Sequence, residues 1–180
     1  MERIIVHLIR GGAKEAHEAI TQDLVQKFDL FPIHERVTPH LTLKRWFKIG
    51  DQEMNELCNN LDIFTASQRQ SQYSLSGFGN FGEGVIYVDV VPSSEMSKFV
   101  TDLLETLSKV GGLTFEEFDS PRDFHATVAM RSLKPFDFNK IWSYLKTVPQ
   151  PSFQMRFDNF AILKKIDDKL FIERVWELNP

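Results

Sequence analysis

Thr38-Pro39-His40-Leu41-Thr42-Leu43 and Asp123-Phe124-His125-Ala126-Thr127-Val128 repeat one pattern: a histidine, an apolar residue, a threonine and an apolar residue. Successive side chains of a strand point to opposite faces. In an extended chain His40 and Thr42 therefore share one face, with Leu41 and Leu43 on the other. His125 and Thr127 are set against Phe124, Ala126 and Val128 in the same way. Each stretch reads as a strand with an apolar face on a core and a His/Thr face turned to solvent or to a cleft. One such triplet means little, but two among five histidines arise by chance only about 2% of the time. The pair is therefore read as a site.

Outward from these stretches, Arg3 to Ile9 is an apolar, β-branched run that predicts a central strand, ended by Gly11-Gly12. Ala16, Ala19, Ile20, Leu24 and Phe28 give residues 13–28 a helical stripe. The first motif strand covers 40–48, and Gly50-Asp51 opens a helix over 52–62. Strands are expected over 69–78 and 85–91. The glycine-rich stretch Gly77 to Gly84 between them lacks the Gly-Lys-Ser/Thr ending of a phosphate loop and precedes a strand, so it reads as a hairpin connection. Ser93 or Ser94 caps a helix that runs to about 110, where Gly111-Gly112 stops it. The second motif strand covers 124–131 and a short helix 136–145. Strands over 153–163 and 169–178 follow, joined by the polar turn Lys164 to Asp168.

His40 and His125 are separated by close to half of the 180 residues. Each half runs strand, helix, motif strand, helix, strand. The expectation is one α+β domain over 1–180 with two similar lobes in pseudo-two-fold symmetry. These would be two intertwined repeats, with motif strands near 40–47 and 124–131.

Composition narrows the function classes. No apolar run reaches the length of a membrane span, and Met1 to His7 lacks the layout of a secretory signal. The single cysteine, Cys58, permits no internal disulfide and fits a reducing, cytoplasmic setting. A net charge of −4 argues against a broad nucleic-acid surface, though not against a small basic pocket for one RNA end or nucleotide.

Taken together, these residues resemble the two-histidine phosphoesterase superfamily, defined by two His-x-Thr-x strands in one chain. Pro39 and the run His40-Leu-Thr-Leu-Lys-Arg-Trp-Phe-Lys-Ile-Gly50 are most similar to the 2'-5' RNA ligase and RNA 2',3'-cyclic phosphodiesterase branch. The resemblance extends over nearly the whole chain in order of elements and in length. The second copy departs from the branch, with Phe124 where a proline often precedes the histidine and with Arg122 and Arg131 at other spacings. The resemblance implies antiparallel sheets lining a central cleft, motif strands side by side in it, and helices outside. It also implies action on cyclic phosphodiesters: RNA ends carrying a 2',3'-cyclic phosphate, or small cyclic nucleotides.

The residue types suit that chemistry. Two imidazoles can supply base and acid near neutral pH, and hydroxyls of Thr42 and Thr127 can stabilise charge on phosphate oxygens. Run in reverse, the same site could form a 2'-5' linkage without ATP. No cofactor, metal or membrane is expected, and the chain is expected to be a monomer. Lys44, on the His40 face by alternation, and Arg131, on the His125 face, are the first candidates for phosphate contacts, followed by Arg122 and then Arg45 and Lys48. Tyr87, Trp46 and Phe47 could stack on a base. His7 is expected to be a buried, hydrogen-bonded histidine, and His17 and His34 surface residues. Two rivals remain. A metal hydrolase lacks a third histidine at useful spacing. A nucleotide- or RNA-binding module would have kept the fold and lost turnover.

Overall fold

The computed structural model describes residues 1–120, 123–130, 133 and 135–180, and these form eight strands and four helices. The strands are β1 (Arg3–Leu8), β2 (His40–Phe47), β3 (Ser71–Phe81), β4 (Val85–Pro92), β5 (His125–Met130), β6 (Ser152–Phe157), β7 (Asn159–Ile166) and β8 (Lys169–Glu177). The helices are α1 (Gly11–Phe28), α2 (Asp51–Ala66), α3 (Ser94–Leu107) and α4 (Pro135–Leu145), with a short 3-10 turn at Ile33–Glu35.

The strands form two four-stranded antiparallel sheets of order β2-β1-β7-β8 and β5-β4-β3-β6. Each motif strand is therefore the edge of its sheet, and the two edges lie against each other. The lobes do not follow the halves of the chain. β3 joins β4 and β6, while β7 returns to pair with β1.

That return corrects the single strand expected over 153–163, which divides at Asp158 between the two sheets. The Asn159 side chain explains the switch. Its Oδ1 accepts from the Leu8 N–H at 3.0 Å and its Nδ2 donates to the Leu8 carbonyl at 3.1 Å, so the end of β1 captures the chain there. Other boundaries also move. β3 continues through Gly77 to Phe81, leaving a turn of only three residues before β4. α1 begins at Gly11. The Ser93 cap holds, its hydroxyl accepting from the Met96 N–H at 3.1 Å.

One apolar core draws on all four helices and both sheets, including Leu24, Leu61, Phe99, Leu103, Ile141 and Phe160. Fully burying each such side chain stabilises by about 1.5–3 kcal/mol. Phe157, wholly buried at the end of β6, packs on Phe99 at 4.9 Å and on the His7 ring at 4.7 Å. A smaller cluster of Ile4, Val6, Leu8, Ala161 and Leu163 covers the other face of the first sheet. No described helix is long and apolar enough to cross a membrane.

Candidate active site

The two motifs match in more than sequence. In β2, Leu8 is opposite His40 and Val6 opposite Thr42, and the register slips immediately afterwards, so that Ile5 faces Lys44. In β5, Asp89 is opposite His125 and Tyr87 opposite Thr127. The same slip follows, with Ile86 facing Ala129. Each strand thus carries a bulge one step past its threonine, which bends the edge and ends the alternation there.

Both histidines are also held alike. His40 Nδ1 lies 2.8 Å from the Thr38 carbonyl and His125 Nδ1 lies 2.7 Å from the Asp123 carbonyl. A carbonyl can only accept, so each Nδ1 carries the proton and each Nε2 is left as the reactive atom. The second clamp requires Asp123 in the left-handed region, at φ 57°. Burial lowers both imidazoles below the ordinary histidine value, and His125 nearby lowers His40 further. Arg45 adds to the lowering of His125, whereas the Asp123 carbonyl and carboxylate oppose it. Rings with a fixed tautomer, lowered proton affinity and an Nε2 opposite the clamped nitrogen, each two residues from a hydroxyl, can take up and release protons around one anionic group.

The surroundings differ between the copies. His40 is flanked by apolar Leu8 and Val6, whereas His125 sits in an aromatic corner. Phe81 meets the His125 ring edge-on at 4.8 Å, and Tyr87 lies at 5.2 Å from it and 4.5 Å from Phe81. Gly79 is opposite Tyr87 in the register, and a Cβ built there would overlap the tyrosine ring. The glycine in β3 is therefore the space that Tyr87 occupies. Phe81, which sequence reasoning missed, has the more exposed ring of the two.

Lys44 corrects an expectation. The bulge turns it inward, where its ammonium donates to Asp119 at 2.8 Å with neither side chain exposed. Asp119 also accepts from the Arg45 and Glu116 N–H groups, each at 2.8 Å. Lys44 is thus committed to pinning the loop before β5 and is not free to meet a phosphate. Arg45 points outward, 3.7 Å from Glu116 and over the Phe118 ring. Arg122 and Arg131 lie outside the described residues.

His7 sits opposite Leu41 on the core side of β1. Its Nδ1 donates to the Asn159 carbonyl at 2.8 Å and its Nε2 accepts from the Tyr73 hydroxyl at 3.1 Å. His17 and His34, expected at the surface, are not there. α1 buries Ala13, His17, Thr21 and Leu24 on one stripe, rotated from the alanine-rich stripe that hydrophobicity suggests. His34 has a side chain only 14% exposed. Among the described residues, no three His, Cys, Asp or Glu side chains converge as a metal site.

A fold of two sheets meeting at paired His-x-Thr edges defines a two-histidine site. The model of the 2'-5' RNA ligase superfamily matches residues 13–169, and the chain belongs to this superfamily of two-histidine phosphoesterases and ligases. Solved structures share the fold. TT0787 of Thermus thermophilus aligns at TM-score 0.66 and 14% identity over 99% of this chain and 98% of its own. E. coli LigT complexed with 3'-AMP aligns at 0.61 and 15% over 99% and 98%. Usb1 of Kluyveromyces marxianus aligns at 0.52 and 12% over 95% and 96%. No curated protein matches the chain by sequence.

Proposed function

We propose that the chain opens 2',3'-cyclic phosphodiesters, on RNA ends or single nucleotides, by metal-independent acid–base catalysis with His40 and His125. The observation that carries this reading is the matched pair of Nδ1–carbonyl clamps, which leaves two Nε2 atoms of defined tautomer at one seam. One Nε2 takes a proton from water as the water oxygen bonds to phosphorus. The other, protonated, gives its proton to the ribose oxygen that leaves. Thr42 and Thr127 donate hydrogen bonds to the non-bridging oxygens, where charge builds up. With a 5'-hydroxyl in place of water, the same steps join two RNA ends through a 2'-5' linkage, the cyclic ester supplying the free energy. The nucleotide bound by E. coli LigT, 3'-AMP, supports a nucleotide-sized ligand here. The Phe81–Tyr87 corner offers the base an aromatic face beside His125. The protein would act in the cytoplasm.

The test is to mix purified protein, in chelator, with 2',3'-cyclic nucleotides and with RNA ending in a cyclic phosphate, reading products by phosphorus NMR. Ring opening that persists in chelator and is lost in both His40→Ala and His125→Ala supports the reading. Saturable binding without turnover would assign the chain to the binding modules instead.

A further inference from the structure

His17 is a buried histidine that the two-histidine scheme leaves unused. It is 7% exposed, and among the described residues neither ring nitrogen reaches full hydrogen-bond geometry, its nearest polar contacts being weak ones to the backbone of Ala126 and Thr127. Those contacts leave the imidazole imperfectly satisfied, and leaving a buried polar atom unpaired is unfavourable by about 1–3 kcal/mol, so the ring calls for a further partner. The surroundings indicate one. His17 lines a cavity of about 20 Å³ together with His34, Thr38, His40 and Thr127. His34 Nδ1 is likewise buried and unpaired. A polar cavity needs roughly 10–15 Å³ and two to four polar partners to hold one water. Here His17, His34 and Thr127 bring polar atoms, and two of the lining residues belong to the two motifs.

We infer that His17 is a positioning residue of the active site, holding one water that links α1 to Thr127, beside His40, across the seam between the sheets. The inference rests on the proposed ring-opening reaction for its kinetic readout. The chemistry follows from the donor count. For Thr127 to give its only proton to a phosphate oxygen, its lone pairs must be the atoms that receive bonds from the protein side. A water ordered by His17 can donate to Thr127 Oγ1, which turns the hydroxyl proton toward the substrate. His17 touches no reacting atom in this scheme. It sets the orientation of a group that does, so its loss should weaken the transition state more than substrate binding.

The experiment compares wild type, His17→Leu and His17→Asn in the opening of a 2',3'-cyclic nucleotide. The expected result is a loss of kcat of tenfold or more in His17→Leu with KM within about twofold, and partial recovery in His17→Asn, whose amide can still order the water. A His17→Leu enzyme with kcat within twofold of wild type, or an Asn variant as impaired as Leu, overturns the inference. A second measurement does not depend on turnover or on the stability of a variant. In wild-type protein labelled with ¹⁵N histidine, inorganic phosphate should shift the His17 ring nitrogens along with those of His40 and His125. If phosphate moves the motif histidines and leaves His17 unmoved, the inference fails while the proposed function stands. If wild type opens no cyclic ester, the proposed function fails, and the phosphate titration still decides on His17.

Discussion

Lys44 and Asp119 form an ion pair with 2.8 Å between Nζ and Oδ2 and no exposure of either side chain. The pair ties the first motif strand to the loop that leads into the second. Removing one partner of a buried pair leaves an uncompensated charge and is destabilising by about 3–5 kcal/mol. Asp119→Ala should therefore destabilise by about that much, as measured by denaturant unfolding. Lys44→Met should do less harm, because Asp119 would keep its bonds from the Arg45 and Glu116 N–H groups. Equal, small effects from both substitutions would show that the pair contributes little.

Burial alone would raise the Asp119 carboxyl, but hydrogen bonds from the Glu116 N–H, Lys44 and the Arg45 N–H outweigh it and hold it below the ordinary carboxylate value. Histidine titration falls in a separate pH window. Burial lowers His7 and His17 from 6.5 to about 4. An unfolded chain binds these protons near 6.5 and the folded one only near 4, so acid favours unfolding between those values. Stability should be intact above about pH 6.5 and fall steadily toward pH 4. The Asp119 contribution is lost only at lower pH, as the carboxylate takes its proton. Guanidinium unfolding at a series of pH values checks this, and a flat profile from pH 7 to 4.5 would contradict it.

The reaction should follow a bell-shaped pH profile, since one imidazole must be neutral and the other protonated. The maximum of such a profile lies midway between the two values. Burial lowers both His40 and His125, so the maximum of kcat/KM should fall on the acid side of 6.5. Each alanine variant should lose about 10²- to 10⁴-fold. An optimum at pH 8, or either variant retaining most of the activity, would contradict the two-histidine scheme.

The motif faces were legible because the period of a strand is two, and within each triplet the period is unbroken. Past each threonine the bulge breaks it, so Lys44 could not be placed by counting. The partner that captures it, Asp119, lies 75 residues further on, and only the fold brings the two together. His17 was hidden for a different reason. The stripe Ala13, His17, Thr21, Leu24 has helical spacing, but half of it is polar, and hydrophobicity favours its neighbour. The break at Asp158 carries only a weak turn signal, the pair Asp158-Asn159 inside an otherwise strand-like run. It is set by the Asn159 side chain binding the backbone of Leu8, a residue of the opposite end of the chain.

Gly79 and Tyr87 give a prediction that separates the site from the core. A Cβ at position 79 would overlap the tyrosine ring, which must then move away from β3. Overpacking of this kind typically destabilises by about 1–3 kcal/mol. The ring can relieve part of the overlap by swinging into the corner it shares with Phe81 and His125. Gly79→Ala should therefore leave the protein folded while lowering kcat/KM for a cyclic nucleotide several-fold. Tyr87→Phe should keep both stability and rate close to wild type if the ring matters only by its shape. Phe81→Ala should act on binding: base stacking is worth about 1–3 kcal/mol, roughly 5- to 150-fold in KM. That loss should vanish for a ribose 2',3'-cyclic phosphate that carries no base. If Phe81→Ala raises KM equally for the baseless ester, the aromatic corner shapes the phosphate site and does not hold the base.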